Sequence, residues 1–241
     1  MTRNILVTGG GTGLGAAMAA RFTAGGDRVF LTGRRPEPLA ATAAALGETA
    51  TAIACDHSDT RSLRRLADAL PERIDVLINN AGGNTAIGAP PPEDIEGVEM
   101  AWRANLSANL MSAVLTTSLL MPRVPDGGSM IHIGSIAADK GTGAYGAAKA
   151  ALASWNLELA REVGPRGVTS NVLSPGYIVD TEFFKGLITE ESHAMRVSAT
   201  MIKRAGNPSD IAGTAYFLAS SDARNITGQV LKVDGGAFPS R

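Results

Sequence analysis

The sequence predicts an α/β fold: a doubly wound, seven-stranded parallel sheet with helices on both faces, three layers in all. Three observations predict it. Seven short aliphatic or β-branched runs recur along 241 residues, longer alanine-rich stretches separate them, and the first run leads straight into a cluster of glycines. Strand and helix alternating at this spacing form βαβ units, whose crossovers cover both sheet faces.

The strands are expected at Asn4–Thr8, Arg28–Thr32, Thr49–Ala54, Asp75–Asn79, Ser129–Gly134, Val168–Leu173 and Val230–Val233. Helical patterns fill the intervals at Gly13–Ala24, Glu37–Leu46, Ser58–Leu70, Glu93–Met121, Tyr145–Val163 and Pro208–Ser220. Pro90–Pro92 and Pro125–Gly128 read as turns. Residues 179–207 fit neither a strand nor one long helix, and a long irregular segment at a strand end reads as a lid over a site. No repeat, low-complexity segment or linker divides the chain, so residues 1–241 are expected to form one domain.

Composition bounds the function. The chain is 44% hydrophobic and 19% charged, with a formal net charge of −1, which gives no electrostatic reason to expect nucleic acid or a membrane surface as partner. Cys55 is the one cysteine, excludes an intrachain disulfide and fits a reducing compartment. No signal-like segment or apolar run of membrane-spanning length stands out, so a cytoplasmic protein is expected. His57, His132 and His193 form no ligand spacing with Cys55, so no metal is expected. His132, between Ile131 and Ile133, reads as structural, and Trp102 and Trp155 as packing or subunit contacts.

The first strand runs into Thr8-Gly9-Gly10-Gly11-Thr12-Gly13-Leu14-Gly15 and then a helix. A glycine turn there lets backbone approach a phosphate, while the helix start supplies free N–H groups and positive dipole. Nucleotide binding is expected, although glycine clusters alone are often only turns. The second strand ends in Arg34-Arg35 with no acid at the site. Guanidinium groups clamp a ribose 2′-phosphate where a carboxylate would repel it, which favours NADP over NAD. Alternatively, the two arginines simply flank a helix start.

Tyr145 and Lys149 lie four residues apart in an alanine-rich, helix-forming segment, hence on one helix face. Alone, the pair fits an ordinary surface pair equally well. In a cleft it has a use: a phenol has a pKa near 10, and an ammonium about 4 Å away contributes on the order of 4 kcal/mol, which would lower that pKa by roughly three. Such a phenol is a better acid for ketone reduction and a better base for alcohol oxidation.

Taken together, the motifs resemble those of the classical short-chain dehydrogenase/reductases, a Rossmann-type family, over essentially the whole chain. The resemblance rests on Thr8 to Gly15, Asn79-Asn80-Ala81-Gly82, Asn105, Ser135, Tyr145-x-x-x-Lys149, Ser174-Pro175-Gly176, Thr227-Gly228-Gln229 and Val233-Asp234-Gly235-Gly236. It implies an active site of Asn105, Ser135, Tyr145 and Lys149. In it Ser135 holds the substrate carbonyl, Tyr145 protonates it, Lys149 also contacts the nicotinamide ribose, and Asn105 anchors a water. The resemblance further implies cofactor contacts from Gly9, Gly11, Thr12, Gly13, Leu14 and Gly15, from Asn79, Ala81 and Gly82, and from Pro175 and Gly176. It adds Asp56 at the adenine and Ile178 at the carboxamide.

Two departures from the family stand out. The Ser135–Tyr145 loop is shorter by a few residues, which trims one wall of the substrate site. Thr181 follows Pro175-Gly176 one place later than usual; it is the expected carboxamide or phosphate contact, the alternative being that Asp180 caps the lid helix instead. The resemblance is strongest to 3-oxoacyl-carrier-protein reductases. It implies an NADPH-dependent reductase of a ketone and secondary-alcohol pair, with a carrier-bound 3-oxoacyl thioester as one candidate substrate, assembled as a homodimer or homotetramer through the two long helices. Arg123 and Arg166 would help dock an acidic carrier or else be solvated surface charge. Phe183, Phe184, Leu187 and Met195 suggest an apolar lid. The alternatives are an NAD(P)-dependent dehydrogenase oxidising a polyol, steroid or other specialised alcohol, and a non-catalytic cofactor-binding sensor. The sensor would be expected to have lost Tyr145 or Lys149, and both remain.

Overall fold

Alternation of apolar side chains along the first strand sends Ile5 and Val7 to one face of a sheet and Leu6 to the other, and all three are buried. Apolar material on both faces is what a strand covered by helices on both sides requires. The computed structural model describes residues 2–184 and 186–239; Lys185, inside the expected lid, lies outside that set. Its strands are β1 (Asn4–Thr8), β2 (Arg28–Gly33), β3 (Ala50–Ala54), β4 (Val76–Asn79), β5 (Ser129–Ile133), β6 (Thr169–Pro175) and β7 (Val230–Val233). They form one parallel sheet of seven strands in the order β3-β2-β1-β4-β5-β6-β7, the doubly wound α/β class expected.

The helices are α1 (Gly13–Ala24), α2 (Pro36–Leu46), α3 (Thr60–Ala69), α4 (Ile95–Leu106), α5 (Ser112–Leu120), α6 (Ala137–Lys140), α7 (Gly143–Val163), α8 (Glu190–Ser198) and α9 (Pro208–Leu218). Met18 and Phe22 of α1, Leu39 of α2 and Ile211 of α9 pack with Ile5, Val7, Leu31 and Ile131 on one face. Leu63 and Leu66 of α3, Leu120 of α5 and Leu159 of α7 pack with Leu6, Leu77 and Met130 on the other. Strand order reverses between β1 and β4, and open sheets of this kind bind ligands beyond the carboxyl ends of the strands at that switch point.

The expected helix 93–121 is divided. Asp94 caps α4, accepting from Gly97 N at 2.7 Å, so the helix starts two residues later than Glu93. A π-turn at Ser107–Met111 then separates α4 from α5. Side chains intrude on the main-chain ladder here: Asn109 Nδ2 donates to the Asn105 carbonyl at 3.0 Å and Ser112 Oγ to that of Ala108 at 2.8 Å. The helical run Ile95–Arg123, 29 residues long, is long and apolar enough to span a membrane by length and composition, correcting the expectation that no segment is. Ala113, Thr116, Thr117 and Leu120 of that run are buried, as in a core helix.

The lid contains a 3₁₀ turn at Glu182–Phe184 and the helix α8. Thr189 caps α8, accepting from Ser192 N at 3.2 Å, which corrects the alternative that Asp180 does so. Main-chain bonds join the two ends of the lid: Val179 N to Gly206 O at 3.0 Å and Gly206 N to Tyr177 O at 3.0 Å. Beyond this neck, Asn207 opens α9 with a full capping box, its carboxamide accepting from Ser209 N and Asp210 N while the Asp210 carboxylate accepts from Asn207 N. Asn207→Ala is expected to lower unfolding free energy by about 1 kcal/mol in a denaturant titration, with no loss of cooperativity.

Candidate active site

At the switch point two short side chains lock β1 to β4. Thr8 Oγ1 accepts from Asn80 N at 2.9 Å and Ala81 N at 2.8 Å, and Asn80 Nδ2 donates to the carbonyls of Thr8 and Gly9 at 2.8 and 3.1 Å. A Cβ added at Gly9 would stand 3.0 Å from Ala81 Cα, and one at Gly15 would collide with the Gly9 carbonyl. Glycine at these positions is therefore a condition of the close packing between loop and strand. Gly13 is held at a φ of 54°, in the left-handed region that favours glycine.

Above this loop lies a cleft of about 970 Å³ that runs across the carboxyl edge of the sheet. One end is bounded by Arg34, Arg35, Asp56 and His57; the middle by Gly9, Gly11, Thr12, Gly13, Leu14, Ala81 and Gly82; the other end by Ser135, Tyr145, Lys149, Pro175, Gly176, Ile178 and Thr181. Phe183 and Phe184 of the lid also line it, whereas Leu187 and Met195, offered with them as an apolar cover, are largely exposed and do not.

Three expected site residues are placed elsewhere. Asn79 is buried inside the sheet, its Nδ2 2.8 Å from Thr117 Oγ1 and 3.1 Å from His132 Nδ1, and the neighbouring Asn80 takes the cleft position. Gly15 sits under the loop against the Gly9 backbone rather than on the cleft wall. Asn105 is 1% exposed and outside the wall; its carboxamide donates to Ala101 O and accepts from Thr85 N at 3.3 Å. The asparagine one turn on, Asn109, makes the stronger connection. Its Oδ1 accepts from Gly83 N and its Nδ2 donates to Gly83 O, both at 2.9 Å, so it pins the backbone of the cleft floor from the π-turn. Sequence reasoning named Asn80 only as part of the Asn79–Gly82 motif, without a role, and did not single out Asn109.

At the far wall the segment between Ser135 and Tyr145 coils into the unexpected short helix α6, begun by Ser135 Oγ accepting from Ala137 N at 3.1 Å. Lys149, 4% exposed, donates to the Ile133 carbonyl at 2.7 Å, with its Nζ 5.8 Å from the centre of the Tyr145 ring. Burial pushes the Tyr145 hydroxyl up to about 12, against the opposing effect of its hydrogen bond with Ser135. This corrects the expectation that the ammonium lowers it: Lys149 is tied to β5 beside the ring, and desolvation decides the sign. Burial also lowers Lys149, to about 8. At neutral pH the phenol therefore holds its proton firmly.

At the opposite end Asp56 accepts from Ser58 N at 2.9 Å and Ser58 Oγ at 2.6 Å, bonds that hold its carboxyl below the usual range, with Arg34 adding a smaller effect. Arg35 is paired with Glu182 of the lid at 2.7 Å. Arg123 and Arg166 are partly exposed and carry internal bonds: Arg123 donates to the carbonyls of Ala67, Leu70 and Pro71 at the end of α3, and Arg166 to Asp126 and the Val124 carbonyl. His132 bridges Asn79 and Ser170 and lies edge-on to Trp155, a structural role in both cases. Among the described residues, no group of three or more His, Cys, Asp or Glu side chains is placed to hold a metal ion.

The donor set fits a dinucleotide. The cleft is long, its middle is a backbone cradle that side chains would fill, and Thr12, the residue before α1, makes no side-chain cap bond, which leaves the first N–H groups of α1 able to receive an anion.

Comparison with known proteins agrees. A family model described as enoyl-(acyl carrier protein) reductase matches residues 9–237. The 3-oxoacyl-[acyl-carrier-protein] reductase MabA of Mycobacterium tuberculosis is 33% identical over 249 residues, covering 98% of this chain and 93% of that protein. The oxidoreductase asL5 of Sarocladium schorii is 34% identical over 244 residues, covering 97% of this chain and 95% of that one. A short-chain dehydrogenase from Burkholderia cenocepacia, solved in complex with NADP, superimposes with a TM-score of 0.87 at 31% identity, covering 99% of this chain and 98% of that one.

Proposed function

Since the chain belongs to the short-chain dehydrogenase/reductase family, oxidoreductases that act on CH–OH groups with nicotinamide cofactors, we propose that it is an NADPH-dependent reductase of ketones with apolar substituents, 3-oxoacyl thioesters among them. The observation that carries this reading is the convergence of Ser135, Tyr145 and Lys149 at one end of a cleft whose other end is built for phosphate and adenosine. Bound nicotinamide supplies the hydride that reduces the carbonyl carbon. The remaining work falls to this chain's side chains.

Ser135 donates to the carbonyl oxygen and fixes its position. As negative charge develops on that oxygen, Tyr145 delivers its proton; a phenol held near 12 keeps that proton until the stronger base appears. Lys149, anchored on Ile133, provides positive charge in a poorly solvated wall, where it stabilises the phenolate left behind. Asn109 and Asn80 act as positioning residues, holding the backbone at Gly83 and Gly9 on which both ligands rest. Phe183, its ring tilted against Tyr145 with centroids 5.8 Å apart, and Phe184 exclude water and favour an apolar chain beside the ketone.

Arg34 and Arg35, with no acid beside them on β2, support the choice of NADPH. In the double variant Arg34→Ala/Arg35→Ala, NADPH should bind about 10²-fold more weakly, the loss expected of one or two charge-assisted contacts, while NADH should change by less than about threefold. Fluorescence titration with each nucleotide measures both. Equal weakening of the two would remove the arginines from the role. NADPH oxidation across a panel of ketones that includes 3-oxoacyl thioesters tests the substrate class, and a uniform preference for short polar ketones would overturn it.

A further inference from the structure

The sequence places no carboxylate at the end of β2, yet the fold brings one there from the lid. Glu182, 147 residues from Arg35, sets its Oε2 2.7 Å from Arg35 Nη2 and 3.4 Å from Thr12 Oγ1. Arg35 Nη2 itself lies 3.4 Å from the same hydroxyl, so one carboxylate oxygen, one guanidinium and one hydroxyl form a closed triangle over the start of α1. Thr181, the residue before, stands against the same loop: a Cβ on Gly13 would be 3.6 Å from Thr181 Cβ. Lid and phosphate cradle thus meet through an acid on one side and an arginine and a threonine on the other. Those are the groups that the reading of the cleft as an NADPH site assigns to a phosphate.

Resting on that reading, we propose that Glu182 is a cofactor-selectivity residue, a substitute from the lid for the acid that β2 lacks. A 2′-phosphate brought to Arg35 competes with the carboxylate for Nη2 and meets its negative charge. An unphosphorylated ribose makes no such demand, and its 2′-hydroxyl can donate to the same carboxylate. Glu182 therefore narrows the advantage that Arg34 and Arg35 give to the phosphorylated nucleotide. The pair is 59% and 62% exposed, so the effect is modest and screened by salt.

The test is direct binding of NADPH and NADH, followed by fluorescence, with 2′,5′-ADP and AMP titrated calorimetrically as probes of the adenosine end alone. Glu182→Gln keeps the size of the side chain, and the exposed position leaves folding unaffected. It should raise the ratio of the NADH to the NADPH dissociation constant about two- to fivefold, the range an exposed ion pair provides. The 2′,5′-ADP and AMP constants should diverge in the same sense. Glu182→Asp, which keeps the charge on a shorter stem, should fall between. An unchanged ratio, or equal changes for both nucleotides, would reduce Glu182 to a structural lid contact and overturn the proposal. A wild type that prefers NADH would instead refute the arginine assignment, while the change in ratio would still decide the role of Glu182.

Discussion

Tyr145→Phe should lose turnover by about 10²- to 10⁴-fold, the range a positioned general acid contributes, while NADPH binds within about twofold of the wild-type constant. The substitution keeps the ring that packs on Phe183 and removes only the hydroxyl. One buried hydrogen bond, to Ser135, goes with it, so the stability cost should be about 1 kcal/mol. Loss of rate without loss of binding or fold separates proton delivery from packing. Initial rates of NADPH consumption with an active ketone, beside the fluorescence titration, measure the two quantities. Equal rates for both proteins would leave the phenol no chemical part.

Lys149→Met is the second large effect, and it acts on two observables in opposite directions. Turnover should fall on the order of 10²- to 10³-fold, because a preorganised charge at the developing phenolate is removed. Stability should respond to pH in a way that identifies the lysine. Its folded pKa, lowered by burial to about 8, lies below the ordinary 10.5, so between those values the unfolded chain holds a proton that the folded protein has released. Stability contributed by this group therefore rises with pH across that window. From pH 8 to 9.5 wild type should gain about 1.5 kcal/mol relative to Lys149→Met in parallel denaturant titrations. Other groups titrate alike in both proteins and cancel. Parallel curves would mean that the ammonium is solvated in solution.

Much of this was legible in the sequence, for identifiable reasons. Strand runs and the glycine turn are local signals, and β1, β2 and β5 start at the residues their apolar patterns indicate. Tyr145 and Lys149 share a helix face because four-residue spacing requires it. What was not legible depended on partners remote in the chain. Asn105-Leu106 and Asn109-Leu110 are the same dipeptide one turn apart, and periodicity has no means of choosing between them; the paired bonds to Gly83 do. The signal that could have helped is the small residue Ser112 after Asn109, which backs the π-turn. Asn79 and Asn80 differ only in that the first ends β4 and points into the sheet while the second has left it. The sign of the Tyr145 shift depends on burial, which a sequence of small neighbours does not convey. The Glu182 contact crosses 147 positions and leaves no local trace.

The neck beneath the lid carries an evolutionary consequence. Its ends are fastened by main-chain bonds between Tyr177, Val179 and Gly206, which make few demands on what lies between them. Such an attachment works like an interchangeable cassette: because the closing bonds run from main chain to main chain, side-chain changes inside the loop leave them in place. Substrate range can then diverge among descendants while the closure itself is kept.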